Sequence, residues 1–259
     1  MREYEAGIIR TERSGGATFI LGLSCPEIAR VVLPGQFVQV RVTGGTDPFL
    51  RRTFSVCNAD AEKGGITLLI EEIGPGTAIL CSLKRGGSVS VIGPLGKGFD
   101  PGLGGEGPCL LVAGGTGAAP LLFLLHRLLE NGGRVAAFLA GARTADSLAA
   151  VRKLVPANAD VSFATDDGSL GYRGFVSGLM AEALDHGKSS AVFTCGPLPM
   201  MRAVAGLAAR SVIPCQVSLE ERMACGIGAC LGCAVKMRDG SMVRSCVDGP
   251  VFDAGEVLL

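Results

Sequence analysis

Cys109-Leu110-Leu111-Val112-Ala113, then Gly114-Gly115-Thr116-Gly117, then Ala118-Ala119-Pro120 form an apolar run, a glycine turn and a helix start in immediate succession. A run with no polar alternation suits a strand buried on both faces, and proline suits the first turn of the helix that follows. The same order repeats downstream. Strand candidates at 135–140, 161–164 and 191–195 alternate with helix candidates at 119–130, 145–154, 174–184 and 199–210. That alternation predicts a parallel sheet covered on both faces by helices.

Upstream, Pro101-Gly102-Leu103-Gly104-Gly105-Glu106-Gly107-Pro108 marks a linker, and before it the period changes. Short β-favouring runs at 7–10, 17–23, 36–42, 53–57, 66–71 and 88–92 are separated by the turn clusters Ser14-Gly15-Gly16, Gly44-Gly45, Lys63-Gly64-Gly65 and Gly86-Gly87. They predict an antiparallel β-barrel with one short helix near 77–83. Downstream, the residues from Pro214 are Gly- and Cys-rich and too irregular to build an apolar core, so something other than side-chain packing is expected to hold them. The expected division is 1–100, an antiparallel barrel; 101–213, a parallel-sheet α/β nucleotide-binding domain; and 214–259, a small cysteine-bearing subdomain. No internal repeat or low-complexity tract interrupts it.

Composition narrows the function. The 259 residues carry 24 Lys plus Arg against 24 Asp plus Glu, leaving no net field to gather nucleic acid or an anionic membrane surface. The longest apolar run, 118–125, is too short to cross a bilayer, and Met1-Arg2-Glu3-Tyr4-Glu5 lacks the apolar stretch of a signal peptide, so a cytoplasmic protein is expected. Ten cysteines in a reducing compartment need an explanation other than disulfides.

Four of them supply it. Cys225, Cys230, Cys233 and Cys246 stand as C-x4-C-x2-C-x12-C, the spacing of a plant-type [2Fe-2S] centre. Interleaved glycines let backbone amides turn toward the sulfurs. Structural zinc is the alternative, but paired C-x2-C hooks are its usual form and the tail has no histidine. Cys25, Cys57, Cys81, Cys109 and Cys215 read as small buried hydrophobes.

The glycine loop Gly114-Gly115-Thr116-Gly117 could cradle a pyrophosphate at a helix start, or serve only as a strand-to-helix turn. Pro120 replaces the third glycine of G-x-G-x-x-G, and Leu139-Ala140-Gly141-Ala142-Arg143 lacks the ribose-binding carboxylate of a Rossmann dehydrogenase. Arg143 could instead meet a 2′-phosphate or face water, leaving NAD and NADP both open. Thr194-Cys195-Gly196-Pro197 ends another strand, where Cys195 would emerge beside the glycine loop, either touching a nicotinamide or lying inert. In the barrel half, Arg51-Arg52-Thr53-Phe54-Ser55 places a cationic fork on one strand, with Arg52 and Phe54 on one face and Thr53 and Ser55 on the other. Ile73-Gly74-Pro75-Gly76-Thr77 offers a second amide turn. His126, inside a leucine-rich helix, and His186, at a helix end, fit core or cap roles, which leaves a hydrolase triad without support.

A barrel with an Arg-x-x-Ser strand, a Gly-Thr helix start, Gly-Gly-x-Gly-x-Ala-Pro and Cys-Gly-Pro together resemble the ferredoxin reductase family of flavoproteins. Ser218-Leu219-Glu220-Glu221-Arg222-Met223 through Cys233, with Cys246-Val247-Asp248-Gly249-Pro250-Val251-Phe252, is similar to the electron-transfer subunits of bacterial NAD-dependent dihydroorotate dehydrogenases. The resemblance implies FAD on the barrel, contacted by Arg52, Thr53, Phe54, Ser55, Leu69, Ile70, Glu71, Gly76 and Thr77. It implies NAD at Gly114, Gly115, Thr116, Gly117, Cys195, Gly196 and Pro197. It also implies a [2Fe-2S] cluster on the four spaced cysteines and a heterotetramer with an FMN-containing catalytic subunit, serving pyrimidine biosynthesis. The family often has proline where Thr53 stands, and an aromatic and a basic residue at positions 70 and 71. Two rival readings are a subunit moving electrons between NAD(P)H and ferredoxin, as in bifurcating transhydrogenases, and a zinc-bearing interaction module without flavin.

Overall fold

The computed structural model of the chain describes residues 2–42, 45, 47–187 and 189–259. Gly44 of the expected Gly44-Gly45 turn lies outside the described residues. Six strands, β1 (Arg2–Arg13), β2 (Thr18–Ser24), β3 (Phe37–Val40), β4 (Arg52–Asp60), β5 (Gly65–Glu71) and β6 (Ser88–Leu95), close into an antiparallel barrel in the order β1-β2-β5-β4-β3-β6. Alternation sets which side faces in: along β6 every second residue is buried, Val89 and Val91 among them. Gly15 (φ +86°) and Gly16 (φ +51°) make the β1–β2 turn in the left-handed region that glycine alone enters freely. Two short helices, α1 (Pro26–Ala29) and α2 (Pro75–Ser82), each begin on a proline.

The second half opens with β7 (Cys109–Gly114), α3 (Ala118–Glu130), β8 (Val135–Ala142), α4 (Ala149–Leu154), β9 (Val161–Thr165), β10 (Tyr172–Arg173), α5 (Val176–His186), β11 (Ala191–Cys195) and α6 (Leu198–Arg210). It ends with β12 (Cys215–Ser218), β13 (Ala234–Lys236), β14 (Met242–Arg244), α7 (Ser245–Asp248) and β15 (Val251–Asp253). One seven-stranded sheet runs β10-β9-β8-β7-β11-β12-β15, parallel except for β15. The chain winds outward from β7 through β8 to β9, then crosses to β11 on the other side of β7. Ligands of open α/β sheets bind beyond the strand ends at such a reversal.

α3 is buried over 118–125 because it is packed on two sides. Leu121, Leu122, Leu124 and Leu125 join the core beneath the sheet, and Phe123 inserts into the barrel core. His126 Nε2 lies 3.1 Å from the Leu154 carbonyl oxygen, holding α3 to α4, in the core role expected of it.

The residues after 213 depart from the sequence reading. β12 is a further parallel strand beside β11, and β15 pairs antiparallel with β12 through Ser218↔Val251. Val217, Leu219, Val235, Phe252, Ala254 and Val257 lie in an apolar core shared with α6 and the sheet. Side-chain packing therefore does anchor this stretch, contrary to expectation. It does so by borrowing the sheet's surface; only the cysteine loop between β12 and β13 remains without its own core.

Candidate functional site

Three groups of residues converge on the crevice between barrel and sheet. The first is on the barrel. Of the arginine pair, Arg51 is occupied: it donates to the Ser90 carbonyl (3.1 Å), the Ser90 hydroxyl (2.9 Å) and Glu3 (2.6 Å). Arg52 donates to the Leu50 carbonyl at 2.6 Å, and its guanidinium lies flat on Gly76. A Cβ on Gly76 would stand 2.6–2.8 Å from that guanidinium, so only glycine permits the approach. Arg52 and the start of α2 thus form one cradle from residues 24 apart. The Thr77 hydroxyl is spent inside its own turn, accepting from the amides of Ile73 (3.0 Å) and Gly74 (3.2 Å). Phe54 and Ser55 are half-buried at the strand edge. Ile70 points into the barrel core and Leu69 toward the core under the sheet, leaving exposed Glu71 as the side chain of that trio free to meet a ligand.

The second group is the expected nucleotide face. β7 and β11 are neighbours in register, Ala113↔Cys195, so the glycine loop and the Cys195-Gly196-Pro197 turn leave the sheet side by side. A Cβ on Gly117 would come 2.7 Å from the Cys195 carbonyl, and one on Gly114 would meet Pro197 at 2.8 Å. Gly115 (φ +54°) faces open space. Cys195 itself is 1 % exposed, and burial, then Glu220, pushes its thiol far up; in this structure the sulfur faces the core.

Glu220 was not singled out by the sequence reading. It follows β12 directly, one strand from Cys195, and desolvation followed by Glu71 raises its carboxyl above the usual range. Part of its surface is nevertheless open to solvent, which marks a group standing in a crevice rather than in the core. The only sequence signal was its place just past a strand too short to be recognised.

The third group is the cysteine loop. Cys225 Sγ accepts from the amides of Ile227 (3.5 Å) and Cys230 (3.4 Å), and Cys246 Sγ from Gly228 (3.1 Å). The Ile227 amide, more than any other group, draws the Cys225 thiol down to about 6; burial pushes Cys246 up to about 11. Gly226 (φ +67°) and Gly228 (φ +82°) allow the backbone turns that aim these amides inward. Thiol-to-thiol hydrogen bonds pair Cys225 with Cys230 and Cys233 with Cys246. Among the described residues no three His, Cys, Asp or Glu side chains converge on a single metal position. Two pairs of thiols are what two irons ask for, and one tetrahedral quartet is what zinc asks for. The donor set therefore fits a two-iron cluster. Arg244, unforeseen from sequence, braces the loop by donating to the Gly228 carbonyl (3.3 Å).

Comparison with known proteins places each group in a described region. Residues 12–99 match the oxidoreductase FAD-binding domain, 111–206 the oxidoreductase NAD-binding domain, and 220–258 the iron-sulfur cluster binding domain of dihydroorotate dehydrogenase B. The electron transfer subunit of dihydroorotate dehydrogenase B (NAD(+)) from Desulforamulus reducens is 40 % identical over 98 % of this chain and 98 % of its own. That of Bacillus cereus is 41 % identical over 87 % of each chain. A solved structure of an NADH-dependent reduced ferredoxin-NADP oxidoreductase, studied for flavin-based electron bifurcation, superposes with a TM-score of 0.88 at 29 % identity, covering 98 % of this chain and 89 % of that one. Among the described residues no helix is long and apolar enough to cross a membrane.

Proposed function

The chain belongs to the family of dihydroorotate dehydrogenase B electron-transfer subunits, and from that premise we propose how its residues divide the work. It is an oxidoreductase component that carries FAD, a [2Fe-2S] cluster and an NAD site, and its partner is the catalytic subunit that oxidises dihydroorotate. The chemistry the bound groups supply is two-electron exchange with NAD at the flavin and one-electron exchange at the cluster, toward the FMN of the partner.

No side chain here is required to act as acid or base; the residues bind, orient and exclude water. Arg52 and the Gly76-Thr77 helix start hold the FAD pyrophosphate, a charge-assisted contact of the strong kind. Thr53, Phe54 and Ser55, with the edge formed by Leu69, Ile70 and Glu71, frame the flavin ring. Gly114, Gly115, Thr116 and Gly117 cradle the NAD phosphates through amides, while Cys195, Gly196 and Pro197 form the wall on which the nicotinamide rests. Cys225 and Cys230 hold one iron, Cys233 and Cys246 the other. The three segments 1–100, 101–213 and 214–259 correspond to these duties, and the protein works in the cytoplasm as a heterotetramer.

The observation that carries this reading is the Arg52 guanidinium seated on Gly76. It sits on the same strand whose Thr53 meets the cysteine loop through Gln39. The test is an absorption spectrum with iron and flavin quantitation on the complex purified without air. One FAD and two irons per chain are expected. Alone, the chain should pass electrons from NADH to an artificial acceptor yet leave dihydroorotate unoxidised. Dihydroorotate oxidation by the isolated chain, or a colourless preparation holding zinc, overturns the assignment. The likeness to the ferredoxin-NADP oxidoreductase favours a second reading with ferredoxin as the electron partner; co-purification with an FMN subunit decides against it.

A further inference from the structure

A polar side chain buried within a barrel strand needs a reason, because leaving its amide unpaired costs as much as losing a hydrogen bond. Gln39 lies on β3 between Val38 and Val40 and is 1 % exposed. Its Nε2 stands 3.4 Å from Thr53 Oγ1 on β4 and 3.4 Å from the carbonyl oxygen of Ala224, the residue before Cys225. Both contacts are at the long end of the hydrogen-bond range, and packing supplies an independent constraint. A Cβ on Gly226 would stand 2.5 Å from the Gln39 amide carbon, so the loop backbone lies directly on that amide. Beside it, Phe37 and Leu95 pack against Cys233 and Cys246.

We infer that Gln39 is a positioning residue: its buried amide keys the cysteine loop to the strand bearing Arg52 to Ser55, and thereby fixes the separation of cluster and flavin sites. The inference rests on the assignment of those sites above. Phe37 and Leu95 can hold the loop against the barrel, but apolar contacts slide; a two-ended amide sets register. A loop seated loosely by an ångström is the kind of displacement that costs a reaction between two held groups an order of magnitude or more.

The test uses the full complex with the FMN subunit, prepared without air, as wild type, Gln39→Leu and Gly226→Ala. Gln39→Leu removes both polar ends at similar volume; Gly226→Ala leaves Gln39 in place and lifts the loop from it. In both, amide exchange across 224–228 is expected to quicken about tenfold, the fold-change given by loss of one buried hydrogen bond. Cluster reduction driven by NADH should slow by about tenfold or more, and the electron paramagnetic resonance lines of the reduced cluster should broaden. Should Gln39→Leu lose its iron, exchange at 224–228 in cofactor-free wild type and variant reads the same joint. Unchanged exchange and unchanged reduction rates in a variant with full FAD and iron overturn the role of Gln39. A wild-type complex lacking FAD or iron instead overturns the site assignment beneath it.

Discussion

The parallel sheet and the cysteine loop lie side by side in one chain, yet opposite means hold them. β7 and β11 bury every residue along their length, and Phe193 of β11 packs edge-on against Phe99 at 5.6 Å where sheet meets barrel. The loop, by contrast, exposes Ile227, Cys230 and Leu231, and is fixed by amide-to-sulfur bonds, Arg244 and the Gln39 amide. The sheet is specified by apolar burial that requires no ligand. The loop is specified by what its thiols grip, since metal binding there is also folding free energy.

That contrast can be broken from either side. Cys246→Ala should do so most completely, with iron falling to near zero and NAD reduction by the complex lost, while FAD absorbance and the melting of barrel and sheet persist. Loss of FAD together with iron would show that the two regions are not separately held. Phe193→Ala acts on the other region and should cost about 3–5 kcal/mol in urea unfolding, felt throughout the chain, because Phe193 is 1 % exposed on a central strand. A cost below about 1 kcal/mol would deny the sheet its role as the rigid frame.

Arg52→Ala tests the cradle between them. Losing one charge-assisted contact of about 1.5–3 kcal/mol should weaken FAD roughly 10–100-fold by fluorescence titration, without altering iron content. Unchanged FAD affinity would remove Arg52 from the site. The smallest effect belongs to Glu220→Gln. The native carboxyl binds its proton more tightly than the unfolded chain does, so its stabilising contribution is present below the ordinary carboxylate range and is lost as pH rises through the folded pKa. Since Glu220 is partly exposed, the variant should melt only roughly 1–2 °C higher at pH 8, with the difference vanishing near pH 4. A variant that melts lower at pH 8 would reverse the assigned cause.

Much of this was legible beforehand. Alternation and glycine punctuation located all six barrel strands, and apolar runs located β7, β8, β9 and β11, because in each the side chains carry the period of the element. β1 was read as 7–10 but spans Arg2–Arg13, since its Arg, Glu and Thr residues face solvent or pair laterally and mask the alternation. β12 and β15, of four and three residues, lie below the length at which any period shows. The cysteine spacing spoke for itself because metal chemistry constrains it directly. Gln39 and Glu220 were illegible because their roles come from residues far away in sequence: a glutamine in a strand looks like a water-facing position until Ala224 is folded onto it.

The pairing of Ser218 with Val251 has a consequence for how such chains diversify. The stretch between them departs and returns through a single paired base in the sheet, as a plug-in cassette does through its connector. An ancestor could therefore exchange one electrical fitting for another of different length or ligand set while the frame that grips the nucleotides went on folding unaltered.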